Sequence, residues 1–483
     1  MTRVPAFSKR ELPALLTAGA YALLLLAGSI HARSLAGGLT VALLVCGFLC
    51  GRFARKGQAV LPLVLMVLAL PTAFSLAGLR LAELPYKADF VKVYWFHSAL
   101  FGGLLAAGCL AAVHILTDGT RGKAVRWAAG ILGALLLAGL ILSQSRTAIL
   151  GAAAGLIVLF ADRIPRRYRI ALAIGAVIAL SAGGYLLYRI NPDSFKGRLL
   201  VWQVSGTLVR EHPVLGSGIQ TFPVDYPFAQ GAFFQAHPDA PGIRFADDIN
   251  RPYNDWLRVL VEQGIFGLLL LLTALFFLFR TSWKVTEARL ARAVVACICI
   301  FALSSYPVES APVLLATAVA LGVLSCVPQA EGKDRTKPVP AAILLAAGLV
   351  LVPFLTREWN RDNEKDREAQ AVFRSAKPAQ AVGLLEKYSR EIPSSQLFVD
   401  LGDTQLKLGR EEEALASYRT AAWMVPRRLT ARYRIFFYYR TIGDRENAVL
   451  AARDCLRYAS CYIPGPKVDR MLGEVRAYLN GTN

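Results

Sequence analysis

The chain has 483 residues, of which 55% are hydrophobic and only 18% charged, a balance too apolar for an ordinary soluble protein of this length. Its formal charge of +20 invites a nucleic-acid reading, so where the cations lie matters more than how many there are. Six of the eight cysteines lie in or beside apolar runs without metal-ligand spacing to histidine, which excludes a zinc module there.

Runs rich in Leu, Ala, Val and Gly lie near 12–30, 35–51, 59–79, 93–116, 127–142, 147–161, 169–188, 259–279, 293–305, 310–327 and 340–355. A helix needs about 20 residues to cross ~30 Å of hydrocarbon, and the shorter runs can borrow flanking residues. The pattern predicts about eleven spans. The first run lacks a small-residue cleavage site and is read as an anchor rather than a signal peptide. With the N-terminus in the cytoplasm, twenty Lys and Arg fall on the cytoplasmic side, among them Arg52, Arg163, Arg289 and Arg292. Only Arg33, Arg80, Lys87, Lys92 and Arg146 fall in the short loops opposite. That asymmetry obeys the positive-inside rule, so the basic excess is read as topological. The expected fold is all-α: a polytopic helical membrane domain over 1–355 that includes a large loop at 190–257, and a separate helical domain over 356–483. Both soluble pieces face away from the cytoplasm.

In chain order, the first polar feature is Ser143-Gln144-Ser145-Arg146, between the fifth and sixth runs. A guanidinium there can hold a phosphate bidentately with Ser143 and Ser145 as further donors, or it can snorkel to lipid headgroups. The loop that follows is too aromatic for a solvated linker, with Trp202, Phe222, Tyr226, Phe233, Tyr253 and Trp256 among its residues. Asn191-Pro192-Asp193-Ser194 signals a helix start, and Leu199, Leu200, Val204 and Leu208 give the next stretch an apolar side. This predicts a short helix on the membrane surface or packed in a re-entrant loop, ended by Arg210-Glu211-His212-Pro213. Arg198 and Trp202 are one turn apart on it. Two arginines from different segments, Arg146 and Arg198, can together stabilise a leaving diphosphate.

At the end of the loop, Arg251, Asp255, Arg258 and Glu262 recur every three or four residues. They read either as a polar stripe facing a cavity or as two intrahelical ion pairs. Asp247 and Asp248 are either a site for Mg²⁺ or a solvated pair, and the solvated pair is the expectation. His31, His97, His114 and His237 are scattered and read as packing or interfacial residues.

The tail after Thr356 is charged, mixed in sign and helical in pattern. Counted from Ser395, Leu401-Gly402, Ala414, Tyr418, Ala421 and Pro426 fall at the packing positions of a 34-residue tetratricopeptide unit. Degenerate neighbours at Ala381, Pro393 and Ala448 suggest two or three stacked helix pairs, an α-solenoid that either binds a partner or serves as a cap. Cys455 and Cys461 both fall here, where oxidation is possible, and their pairing stays open.

Together these segments resemble the O-antigen ligase and polymerase family of bacterial membrane glycosyltransferases. The resemblance rests on Ser143-Gln-Ser-Arg146, on Gly197-Arg198-x3-Trp202, and on Glu211-His-Pro-x-Leu-Gly216-x-Gly218-x3-Phe222. It continues through Tyr253-Asn254-Asp255-Trp-Leu257 into Val261-Glu262-Gln-Gly264-x2-Gly267. It implies transfer of a glycan from undecaprenyl diphosphate to a hydroxyl of lipid A core, polysaccharide or protein, on the periplasmic face of the bacterial inner membrane. It also implies that Arg146 and Arg198 contact the diphosphate, with Tyr253, Asn254 and Asp255 at the reacting centre. Ser143, Ser145, Trp202, Arg210, His212, Arg251, Arg258 and Glu262 are then substrate-binding residues. No cofactor is expected, and the partners are the lipid-linked donor, the acceptor, membrane lipids and a possible protein bound by the tail.

The chain departs from the family where Tyr253 stands in place of the usual histidine before Asn254. A phenol with a pKa near 10 is a poor base at neutral pH, which leaves Asp247, Asp248, Asp255 and His212 as candidates. The competing function is a transporter or flippase of a lipid-linked saccharide, which would call for ionisable pairs deep in several spans and internal repeat symmetry.

Overall fold

The computed structural model describes residues 11–32, 34–53, 98–165, 192–282, 288–326 and 339–482, with a few isolated positions between them. Among the described residues the chain forms seventeen α-helices and no strand. They are α1 (Leu12–His31), α2 (Leu35–Phe53), α3 (Ser98–Leu116), α4 (Lys123–Leu142), α5 (Arg146–Phe160), α6 (Pro192–Glu211) and α7 (Phe222–Ala236). Then follow α8 (Asp255–Ser282), α9 (Arg289–Phe301), α10 (Ala311–Leu324), α11 (Val339–Ser375), α12 (Pro378–Glu391) and α13 (Ser395–Lys407). The last four are α14 (Glu411–Met424), α15 (Leu429–Thr441), α16 (Arg445–Arg457) and α17 (Pro466–Thr482). The helices form two compact units, one drawn from 1–190 and 253–359 and the other from 191–252 and 360–483. The predicted spans near 59–79 and 169–188 lie outside the described residues, apart from isolated positions.

In the first unit, α1, α2, α4, α8 and α11 are long and apolar enough to cross a membrane, and α3 and α10 are shorter apolar helices. Their outer faces carry large hydrophobic side chains in the open: Leu16 and Leu23 on α1, Trp127 and Ile131 on α4, Phe276 on α8 and Val350 on α11. Water would make such a surface untenable, whereas hydrocarbon solvates it. This is a multi-pass membrane protein.

Small residues let its helices approach closely, as association in lipid requires. A Cβ on Gly51 of α2 would collide with the Val319 carbonyl of α10, and one on Gly322 with the carbonyl of Phe48. Gly151 meets Cys297 and Gly155 meets Ala293, so α5 and α9 run antiparallel. Gly102 meets Ser145 while Leu110 meets Gly155, so α3 runs parallel to α5. These pairings sort the residues between two ends. At one end Asp162 takes Arg292 at 2.6 Å and Arg289 at 3.4 Å, and Arg121 pairs with Asp118. There too, the C-terminal ends of α2 and α10 meet, where Arg52 binds Glu11 at 3.1 Å and the Ser325 carbonyl at 3.0 Å. The Ser143–Arg146 turn, the N-terminus of α8 and the 302–310 connection occupy the opposite end.

The helical stripe expected from Arg251 to Glu262 is shorter than its spacing suggests. α8 starts at Asp255, so Arg251 precedes it, and the helix breaks at Gly264 with φ 65° and ψ −170°. That conformation is open almost only to glycine, because a Cβ clashes with the backbone. Gly264→Ala is therefore expected to cost ~1–3 kcal/mol. The check is a lower midpoint for retention of folded protein on heating in detergent; an unchanged midpoint would show that the break is not held.

In the second unit α6 packs on α7, and α12 to α17 each pack on the next helix in sequence. Gly402 lies against the Tyr418 ring, with Ala414 and Ala421 fully buried beside it. Tyrosines tie helix to helix: Tyr388 donates to Glu368 at 2.6 Å, Tyr418 to Asp403 at 2.6 Å and Tyr438 to Glu411 at 2.7 Å. Cys455 and Cys461 are both free thiols, with Cys455 in the core of α15, α16 and α17.

Asp400, in α13, accepts from Gln396 at 2.8 Å, and burial raises its carboxyl to about 6. The native state thus holds a proton that the unfolded chain loses near pH 4, and stability declines as pH rises through that window. Asp400→Asn cannot ionise and should gain stability at pH 7.5, held to ~1 kcal/mol by solvent screening, with little gain at pH 4. Thermal melts of the full-length protein at both pH values test this, and an equal effect at both would refute it.

Candidate active site

The turn between α4 and α5 is built by its own polar groups. Ser143 Oγ donates to Leu140 O at 2.7 Å and accepts the Ser145 N–H at 3.3 Å, so its single proton is spent inside the turn. Ser145 is buried against Gly102. Gln144 between them is left-handed, with φ 51°. The turn delivers Arg146, half-buried, as the first residue of α5.

The N-terminus of α8 meets the 302–310 connection. Asn254 Oδ1 accepts the Leu257 N–H at 3.0 Å, an ordinary N-cap. The Asp255 N–H donates to Ala302 O at 3.0 Å, and Asp255 Oδ2 accepts from the Val308 N–H at 3.0 Å. Its other oxygen, Oδ1, is buried without a hydrogen-bond partner, as is Ser305 Oγ. Tyr253 is left-handed, with φ 53°, and its ring lies 5.9 Å from that of Tyr306.

One turn into α8, Arg258 bridges two carboxylates. Its Nε donates to Glu262 Oε1 at 3.1 Å and its Nη1 to Glu309 Oε1, with Glu262 and Glu309 both largely buried. The intrahelical pair expected from the spacing is present, but it is buried and shared with a second element. Asp255, Glu262 and Glu309 thus bring three acids to this end of the apolar bundle, and Arg258 bridges two of them. Sequence reading passed over Glu309, Ser305 and Tyr306. Their signal was Ser304-Ser305-Tyr306-Pro307-Val308-Glu309, a polar break between two apolar runs that holds no cation and so escaped a count of positive charge.

The second unit carries the remaining candidates. Arg198 and Trp202 are half-buried on α6, and Trp202 Nε1 donates to Pro252 O at 2.9 Å. Arg210 and His212 are exposed at the end of that helix, and Arg251 is half-buried one residue before Pro252. The turn after α6 contains a third left-handed non-glycine residue, Gln220, with φ 64°. Asp247 and Asp248 are not a solvated pair. Asp247 binds Arg427 at 2.5 Å and Arg428 at 3.1 Å, and Asp248 binds Arg428 at 2.7 Å and the Ser395 N–H at 2.7 Å. Burial pushes the Asp248 carboxyl up, against the pull of Arg428 and of that N–H. Their oxygens are thus engaged by guanidinium groups, and among the described residues no cluster of three or more His, Cys, Asp or Glu is placed to hold a metal ion.

Each of the three left-handed non-glycine residues among the described residues falls in a different motif segment, where local strain of ~1–3 kcal/mol is characteristic of functional turns. Residues 131–272 match the O-antigen ligase family. The chain carries an O-antigen ligase domain. That domain takes in Ser143 to Arg146, Arg198, Trp202, and Tyr253 to Glu262, drawn from both units. No curated protein and no solved structure matches the chain.

Removing Arg258 would leave Glu262 buried without its counter-charge and take one ion pair from Glu309. Arg258→Met is expected to cost ~3 kcal/mol or more of stability, because breaking a buried pair strands a charge. Heating in detergent measures it, and a melting midpoint equal to the parent's would show that the pair carries no structural weight.

Proposed function

We propose that this O-antigen ligase-type protein is a glycosyltransferase that moves a glycan from undecaprenyl diphosphate to an acceptor hydroxyl on the periplasmic face of the bacterial inner membrane. The observation that carries the reading is the O-antigen ligase match over 131–272, which contains all thirteen candidate site residues. The segregation of Arg52, Asp162, Arg289 and Arg292 to the end away from Arg146 and Asp255 supports the orientation, since cytoplasmic ends collect the cations.

In this reading the acceptor oxygen attacks the anomeric carbon, the bond from that carbon to the phosphate oxygen breaks, and undecaprenyl diphosphate leaves. Arg146 and Arg198 offset the charge on the leaving diphosphate, as planar guanidinium groups suit its oxygens. The proton lost by the hydroxyl goes to Asp255 Oδ1, a buried carboxylate oxygen with no other partner. Asp255 is preferred to the other candidates because Asp247 and Asp248 are held by arginines and His212 is exposed. Tyr253, stacked edge-on against Tyr306, lines the site rather than taking the proton. The tail is read as a tetratricopeptide-like region on the residue pattern counted from Ser395.

Purified full-length protein with a lipid-linked donor, tried with lipid A core, polysaccharide and peptide hydroxyls in turn, tests the reading. Arg146→Ala and Arg198→Ala should each lower transfer ~100-fold or more at unchanged protein level in the membrane. Asp255→Asn should lower kcat by a similar factor with little change in donor KM. Transfer retained in both arginine variants would sink the mechanism.

A further inference from the structure

The loop that carries Arg198 and Trp202 is clamped by the C-terminal helices of its own unit. Gln230 of α7, fully buried, donates to Met424 O at 2.7 Å and to Asp247 O at 3.1 Å. Trp423 of α14 lies so close to Gly231 that a Cβ there would come within 2.5 Å of its ring, and its Nε1 donates to Gln235 at 3.0 Å. Arg427 spans Asp247 and the Arg244 carbonyl, and Arg428 spans Asp247 and Asp248. The Ser395 N–H, at the start of α13, completes the grip on Asp248.

The clamped segment is the one on which α6 rests. Gly242 packs on Leu200 and Phe245 faces Gly197, the residues two after and one before Arg198. Arg244 pairs with Asp193 at 3.1 Å near the start of α6, and the Pro252 carbonyl receives the indole N–H of Trp202. The contacts thus run without a gap from α14 and the connection after it, through residues 242–252, to the backbone and neighbours of Arg198. A charged clamp of this kind is sensitive to sign. A buried or half-buried carboxylate pair facing two guanidinium groups loses its attraction when one side is reversed and regains it when both are.

We infer that the C-terminal helical region is a positioning element of the transfer site, and that Arg427, Arg428 and Trp423 hold the loop so that Arg198 and Trp202 present a fixed surface to the donor. The inference rests on the proposed glycosyl transfer for its functional half, and on the clamp alone for its structural half. It gives the tail a task inside the chain, whether or not its other face binds a partner.

The test uses full-length protein with two readouts, donor kinetics and the rate at which protease cuts the exposed 211–215 stretch. The double reversal Arg427→Glu with Arg428→Glu should speed cutting at least threefold and lower kcat/KM for the lipid-linked donor about tenfold, mainly through KM. Adding Asp247→Lys alone, which restores the pair with residue 427 and leaves Asp248 to accept the Ser395 N–H, should bring both readouts at least part of the way back toward the parent. Trp423→Ala, which alters no charge, should move both readouts in the same direction as the reversal and guards against a misfolded reversal. Faster cutting with unchanged kcat/KM would overturn the positioning role, and unchanged cutting in both variants would overturn the clamp. Arg146→Ala, in the other unit, separates this inference from the function on which it rests. Retained transfer there removes the proposed function, while the protease result continues to report on the clamp.

Discussion

A charge that enters an apolar helical bundle has to meet its counter-charge inside the protein, because hydrocarbon offers neither water nor ions to solvate it. The first unit is organised around that demand. Arg52 finds Glu11 and the end of α10, Arg292 finds Asp162, and Arg258 finds Glu262 and Glu309. All but the intrahelical Arg258–Glu262 pair join elements distant in sequence, so these ion pairs also act as ties between helices. The glycine contacts of α2 with α10 and of α5 with α9 then set how closely those helices lie.

The two ends of the bundle satisfy the demand differently. At the basic end the arginines outnumber their acids. At the end that holds the candidate site, two carboxylates share the Arg258 guanidinium and Asp255 keeps Oδ1 without a hydrogen bond. Structural pairing would favour closing that valence, whereas an open carboxylate oxygen is what a hydroxyl proton requires. Strain accumulates in the same motifs: Gln144, Gln220 and Tyr253 adopt backbone angles that glycine would take at lower cost, and Gly264 breaks α8 just below the acids.

In the second unit the same electrostatic logic works in a wetter setting. Asp247 and Asp248 have no chemistry that sequence spacing can distinguish from a solvated acidic pair, yet Arg427 and Arg428 reach them from 180 residues further along the chain. The aromatic content of the loop is explained in the same way. Phe222 and Tyr226 are buried within the unit, and Phe228 packs against Trp423 of α14. A loop too apolar for solvent was covering itself with the tail.

Much of this was legible in the residues alone, because it depends on local pattern. Apolar runs announce helices that need lipid, and an N-cap such as Asn254 acts within three residues of itself. The spacing of Gly402, Ala414 and Tyr418 foretells that α13 and α14 pack as a pair. The cation count is local in the same way, since it asks only which loop a residue is in. Spacing misled where backbone geometry intervened: Arg251 shares the period of Asp255 and Arg258 but precedes the helix, and Gly264 interrupts it. What only the tertiary structure decided are the contacts between segments far apart in sequence: Glu309 with Arg258, Asp162 with Arg292, and the acids of the loop with the arginines of the tail. A carboxylate carries no local mark of its future partner, and the pairing exists only once folding has excluded water from both.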